Sequence, residues 1–127
     1  MRYMGIDFGA KRVGIALSDE EGKFSLPKAV LPNDRTLFRE IRDLCRGHKV
    51  KTIVMGESKN FEGGDNLIMK EISRFKAELE RDLKLPVFLE PEFLTSAEAE
   101  RIQGKTVMHD ASAAALILKS YLDKITN

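Results

Sequence analysis

Tyr3-Met4-Gly5-Ile6-Asp7-Phe8-Gly9-Ala10-Lys11-Arg12-Val13-Gly14-Ile15-Ala16-Leu17-Ser18 is the stretch from which the architecture of this chain can be read. Two apolar runs flank a Gly-Ala-Lys-Arg turn. In the second run Val13, Ile15 and Leu17 alternate with Gly14, Ala16 and Ser18, which is the period of a strand. Arg2 to Phe8 and Arg12 to Ser18 are therefore predicted strands. The short turn, with Gly9 in it, makes them an antiparallel hairpin. A single carboxylate, Asp7, stands inside the first run. Desolvating an unpaired carboxylate is costly, so Asp7 needs a partner. A metal ion, or a phosphate reached through one, would supply it. The structural alternative is an ion pair with Lys11 or Arg12 across the turn.

Outward from the hairpin, Glu20-Glu21-Gly22-Lys23 is a second polar turn, and Ser25 to Leu31 reads as a third strand. Pro27 suits an edge or a bulge in it. Pro32-Asn33-Asp34 marks a break and a helix cap. Leu37, Ile41, Leu44 and Cys45 then recur at helical spacing up to about His48. Thr52 to Gly56 is a compact apolar run of the kind found in buried central strands. Glu57 to Gly64 reads as a loop, and Asp65 to Leu83 as an amphipathic helix with Ile68, Ile72, Phe75 and Leu79 on one face. Leu85 to Leu89 is a short strand. Thr95-Ser96-Ala97-Glu98 has capping-box spacing and opens a short helix that Gly104-Lys105-Thr106 breaks. A last helix spans about His109 to Ile125. The order predicts an α/β fold. Its five-stranded mixed sheet is an antiparallel three-strand meander followed by parallel strands, with helices on both faces. That is the order of the ribonuclease H-like fold.

The 127 residues suit a single domain with one core, 1–127. Lys plus Arg number 21 against 20 Asp plus Glu, so any nucleic-acid-binding surface must be a local patch. The one cysteine, Cys45, excludes an internal disulfide framework and suits a reducing, cytoplasmic setting. No apolar run approaches the roughly 18 residues of a membrane span, so no membrane partner is expected.

The residues resemble a known family. Gly5-Ile6-Asp7-Phe8-Gly9 followed by Lys11-Arg12-Val13-Gly14-Ile15-Ala16 looks like the opening motif of the YqgF family. That family comprises RuvC-like proteins assigned as Holliday junction resolvases and as pre-16S rRNA nucleases. The likeness continues through the strand ending at Gly56, the Glu62-Gly63-Gly64 loop, Glu92-Phe93-Leu94-Thr95-Ser96-Ala97-Glu98-Ala99 and Asp110-Ala111-Ser112-Ala113-Ala114. It implies a ribonuclease H-like nuclease with Asp7, Glu92 and Asp110 around divalent metal, Mg²⁺ or Mn²⁺. There are two departures. Pro91-Glu92-Phe93 stands where the family usually reads Asp-Glu-Arg, and Gly56-Glu57-Ser58 where it usually reads Gly-Leu-Pro. In related nucleases of this fold the end of that strand carries a metal-binding carboxylate, so Glu57 is a candidate replacement ligand.

Such a set fits phosphodiester hydrolysis. Two Mg²⁺ ions about 3.5–4 Å apart can activate a water and stabilise the leaving oxygen. Magnesium takes hard oxygen ligands and keeps several waters, so few carboxylates suffice. Asp7, Glu92 and Asp110 are accordingly read as metal ligands. Lys11 and Arg12 are candidate phosphate contacts, as are Ser58, Lys59 and Asn60 in the following loop. His109, beside Asp110, reads as a helix-start residue before it reads as a proton carrier. The resemblance implies a metal-dependent endonuclease acting on a 16S rRNA precursor or on branched DNA, as monomer or homodimer. The alternatives are a weakly active or inactive nucleic-acid-binding module of the same fold, and a nucleotide-binding domain of the actin and sugar-kinase type. For the latter, 127 residues leave no room for the second domain that encloses ATP.

Overall fold

The computed structural model describes residues 1–57, 67–91 and 109–126, with the backbone alone for His109 and Asp110. Among the described residues eight elements follow one another: β1 (Arg2–Phe8), β2 (Arg12–Ser18), β3 (Ser25–Pro32), α1 (Leu37–Gly47), β4 (Val50–Glu57), α2 (Leu67–Leu83), β5 (Val87–Pro91) and α3 (His109–Thr126). The strands form one sheet in the order β3-β2-β1-β4-β5. β1 pairs antiparallel with β2, and β2 with β3, while β4 joins β1 and β5 joins β4 in parallel. This is the mixed sheet that the sequence predicts. The short helix expected near Thr95 lies outside the described residues.

Period-2 alternation sorts the side chains of the sheet onto two helical layers. Met4, Ile6, Val13, Ile15, Ile53 and Met55 pack under α1 and α2, against Leu37, Ile41, Ile72, Phe75 and Leu79. Tyr3, Ala16 and Val54 point the other way, under Ala114, Ile117, Leu118 and Leu122 of α3. Both faces are therefore covered. Three strands differ from expectation in their bounds, β3 only by running one residue further, to Pro32. β4 is longer than the apolar run, because Val50 is buried beneath α1 and Glu57 still pairs with Pro91. β5 starts at Val87 and not at Leu85, since Pro86 has no N–H to donate to the ladder, although its carbonyl accepts from the Ile53 N–H at 3.0 Å. Pro27 lies on the outer strand β3, where the register shifts between Ile15 and Ala16, so it occupies both the edge and the irregularity expected of it.

Asp34 accepts from the Thr36 N–H and hydroxyl at 2.9 and 2.6 Å, and these bonds hold its carboxyl below the usual range. α1 and α2 each hand the chain to a strand through a lysine in the left-handed region, Lys49 and Lys84, both at φ 56°. Glycine is the usual residue at such helix ends, and a residue with a Cβ costs about 1–2 kcal/mol there.

Cys45 is buried between α1 and the sheet, 4.0 Å from the Met4 sulfur, and burial pushes its thiol up from 9.0 to about 12. The folded chain thus keeps a proton that the unfolded chain releases above pH 9. Stability contributed by the neutral thiol is complete below that pH and declines as pH rises, by about 1.4 kcal/mol per unit. Urea unfolding at pH 7.5 and pH 10 checks this: the stability advantage of the wild type over Cys45→Ala should shrink by about 1.4 kcal/mol at the higher pH. An equal difference at both values would contradict it.

Candidate active site at the carboxyl end of the sheet

The parallel strands β1, β4 and β5 end at the same edge of the sheet, at Phe8, Glu57 and Pro91. Asp7 is half-buried there on the central strand, opposite Gly14 of β2. Its face follows from its neighbours two and four residues back. Tyr3 packs against Tyr121 of α3, with ring centroids 6.0 Å apart. Gly5 lies directly beneath the helix: a Cβ built on it would fall 2.8 Å from both the Ala114 carbonyl oxygen and Leu118 Cβ. Moving from Tyr3 to Gly5 to Asp7, the chain passes under Tyr121, then under Leu118 and Ala114. Two more residues of strand, about 6.6 Å, and one more helical turn of about 5.4 Å bring Asp7 level with the start of α3. Asp110 belongs to that first turn, and the adjoining Ala111 and Ser112 are buried. The fold thus brings two of the three predicted acids, by backbone position, to one end of one face. The third, Glu92, lies outside the described residues, immediately after Pro91 in the sequence.

Glu57 behaves differently. Val54 faces α3 whereas Ile53 and Met55 face α1 and α2, and pairing with β5 continues through Glu57. Strand alternation therefore assigns Gly56 to the face of Asp7 and Glu57 to the opposite one. This register sets the Glu57 position, expected as a replacement ligand, on the face opposite Asp7. The β4 residue on that face has no side chain.

The hairpin turn next to Asp7 is firmly built. The Gly9 N–H donates to the Arg12 carbonyl at 3.0 Å, the Asn33 N–H to the Lys11 carbonyl at 2.9 Å, and Asn33 Nδ2 to the Gly9 carbonyl at 2.7 Å. Lys11 and Arg12 are exposed on this turn, at the same sheet end as Asp7. On the α2 side of the turn Phe8, Asn33, Arg74 and Phe75 line an open cleft of about 380 Å³. Ser58, Lys59 and Asn60 lie outside the described residues. No three His, Cys, Asp or Glu gather at metal-binding range among the described residues, a set that excludes the side chains of Glu92 and Asp110.

One carboxylate on the α3 face was not singled out from sequence. Glu90, paired with Gly56, is 3% exposed; it accepts a hydrogen bond from the Ser120 hydroxyl at 3.0 Å and forms an ion pair with Lys124. The clue was the one that marked Asp7, an acid next to an apolar strand run. Its partners on α3 make it a tie between β5 and the helix, and its proximity, with that of Tyr3, adds to burial in raising the Tyr121 hydroxyl.

The family profile described as RuvX, Holliday junction resolvase, matches residues 1–124. The chain belongs to the RuvX family. This is the family, also called YqgF, that the opening motif resembles. Relatives of RuvX type are similar over nearly their whole length. A protein of Maridesulfovibrio salexigens, provisionally named a pre-16S rRNA nuclease, is 35% identical over 136 residues, covering 96% of this chain and 98% of its own. One of Nitratidesulfovibrio vulgaris with the same name is 33% identical, covering 97% and 94%. Among solved structures, Thermus thermophilus RuvC superposes with a TM-score of 0.64 at 12% identity, covering 99% of this chain and 97% of that one. Fowlpox virus resolvase in complex with Holliday junction DNA gives 0.62 at 12% identity, with full coverage of both. At such identities these likenesses establish the ribonuclease H-like fold of this RuvX-family chain.

Proposed function

We propose that this chain is a divalent-metal-dependent endonuclease that hydrolyses a phosphodiester bond in structured nucleic acid, with a 16S rRNA precursor as its substrate. The observation that carries the reading is the convergence of Asp7, on the central strand, with the first turn of α3, in a chain whose full-length relatives carry the name of that nuclease. The donors fit the cation: Asp7, Asp110 and Glu92 offer only carboxylate oxygen, the hard ligand that Mg²⁺ and Mn²⁺ prefer. Bound there, the metal would supply an activated water and charge stabilisation for the leaving oxygen. Asp7 would anchor the centre on the central strand of the sheet. The first N–H groups of a helix have no intrahelical partner and lie at the positive end of its dipole, so the start of α3 would favour anionic groups beside it. Lys11 and Arg12 would hold phosphates flanking the scissile bond. Ser58, Lys59 and Asn60 follow β4 in the sequence and would extend that contact. The cytoplasm is the fitting compartment for such a substrate and for the single free thiol of Cys45. No helix among the described residues is long and apolar enough to cross a membrane.

Incubation with precursor RNA and with a four-way DNA junction, with and without Mg²⁺, tests the reading. Cleavage should require the metal, stop on adding EDTA and return with excess Mg²⁺ or Mn²⁺. The RNA should be the preferred substrate. Cleavage that is indifferent to EDTA would refute the metal assignment, and preference for the junction would refute the substrate.

A further inference from the structure

The end of the sheet opposite Asp7 carries a concentration of positive charge that the site above does not use. There α1 and α2 finish, and β4 and β5 begin. Two adjoining depressions, of about 430 and 280 Å³, share Lys49 and Lys51 as lining residues; Arg2, His48 and Glu20 also line the first, and Arg46 and Asp82 the second. Lys84 follows Leu83, which also lines the second. The acids nearby are already engaged: Glu20 lies 3.7 Å from Arg2, and Asp82 accepts from Arg81 at 2.9 and 3.2 Å. Arg46, Lys49, Lys51 and Lys84 are exposed and form no ion pair among the described residues. In a chain of net charge +1 these cations make one end of the molecule strongly positive. Backbone conformation gives a second, independent sign. Among the described residues only Lys49 and Lys84 combine a side chain with positive φ, and both stand in this cluster where glycine would relieve the backbone. A lysine there complements the helix dipole, but so would one placed within the last turn without strain.

We infer that Arg46, Lys49, Lys51 and Lys84 form a second phosphate-backbone contact, which grips a duplex segment of the nucleic acid remote from the bond cut at Asp7. The inference rests on the nucleic-acid reading above. From Arg2 to Asp7 is five strand steps, about 17 Å, or roughly five base-pair steps of duplex. A duplex seated at the acids and running along the sheet would reach these cations within about five base pairs.

The test compares the full-length wild type with the triple variant Lys49→Gly, Lys51→Gln, Lys84→Gly, in which the two glycines relieve positive φ and so protect the fold. Binding to an RNA duplex of about 30 base pairs is measured in EDTA between about 50 and 200 mM KCl. The slope of log affinity against log salt should fall by about 2 to 3 in the variant, about 0.9 per lost contact, with at least a tenfold loss of affinity at low salt. A wild-type slope and affinity in a folded variant would overturn the inference and leave the nuclease reading intact. A wild type that binds neither duplex RNA nor a four-way DNA junction would remove both. Unchanged duplex affinity with loss of binding to an acidic protein would assign the surface to that class of partner and overturn the inference.

Discussion

Asp7→Asn is expected to reduce RNA cleavage by on the order of 10³-fold while leaving the fold intact, the scale seen when one preorganised electrostatic group is removed from an active site. Asparagine keeps the shape and one acceptor oxygen but loses the charge that a hard cation requires. Asp7 is half-buried on the strand flanked by β2 and β4, so the position is held by backbone pairing whatever the side chain carries. Stability and activity should therefore separate. The thermal midpoint in EDTA should be close to wild type, while the increase that Mg²⁺ gives the wild type should shrink, because a ligand that binds only the folded chain stabilises it by mass action. The opposite pattern, full cleavage with a lower midpoint, would show Asp7 to be a structural ion-pair partner of the hairpin turn.

Gly5→Val acts on the same site from beneath. Gly5 is the point where β1 touches α3, and the space a Cβ would need is taken by the Ala114 carbonyl oxygen and Leu118 Cβ, each at 2.8 Å. The first is backbone and cannot rotate away, so the helix must move. Overpacking of this kind costs about 1–3 kcal/mol, and the branched valine should reach the upper end or exceed it, with alanine below it. The displaced helix carries Asp110 in its first turn, so the geometry beside Asp7 changes as well. A misplacement of about 1 Å is enough for a 10²-fold loss of rate. Urea unfolding and cleavage assays on Gly5→Ala and Gly5→Val should show both losses growing together with side-chain size. Wild-type cleavage by a destabilised Gly5→Val chain would disconnect the helix from the chemistry.

The hairpin was legible residue for residue. Arg2–Phe8 and Arg12–Ser18 have the limits that alternation and the Gly-Ala-Lys-Arg turn indicate, because a two-stranded unit with a short loop is specified locally. β4 was legible as a strand but not in its orientation. Ile53, Val54 and Met55 are consecutive and all buried, so apolar alternation does not mark which face of β4 meets α3. That is why the side on which Glu57 falls emerged only from pairing with β1 and β5. Leu85 extended the apolar pattern of β5 in the sequence, whereas the ladder begins after Pro86. The anchoring of Glu90 by Ser120 and Lys124 joins residues at least 30 positions apart, and no local spacing encodes it. For the site, Asp7 stood out because a charge within an apolar run is costly. Asp110 and Glu92 have no such local signature and emerged only through the family motif.

The outer strands carry a consequence for assembly. β3 includes Pro27 at its register shift, and β5 is a five-residue strand with Pro86 before it and Pro91 at its end. A proline in an outer strand, Pro27 in β3 or Pro91 at the end of β5, has no N–H with which to pair a further chain, whereas Pro86 turns its carbonyl inward to the Ile53 N–H. Sheet extension from one molecule into the next is thereby discouraged at both flanks. Two copies brought together to cut opposed strands would then meet through helical surfaces or connecting segments rather than by extending the sheet.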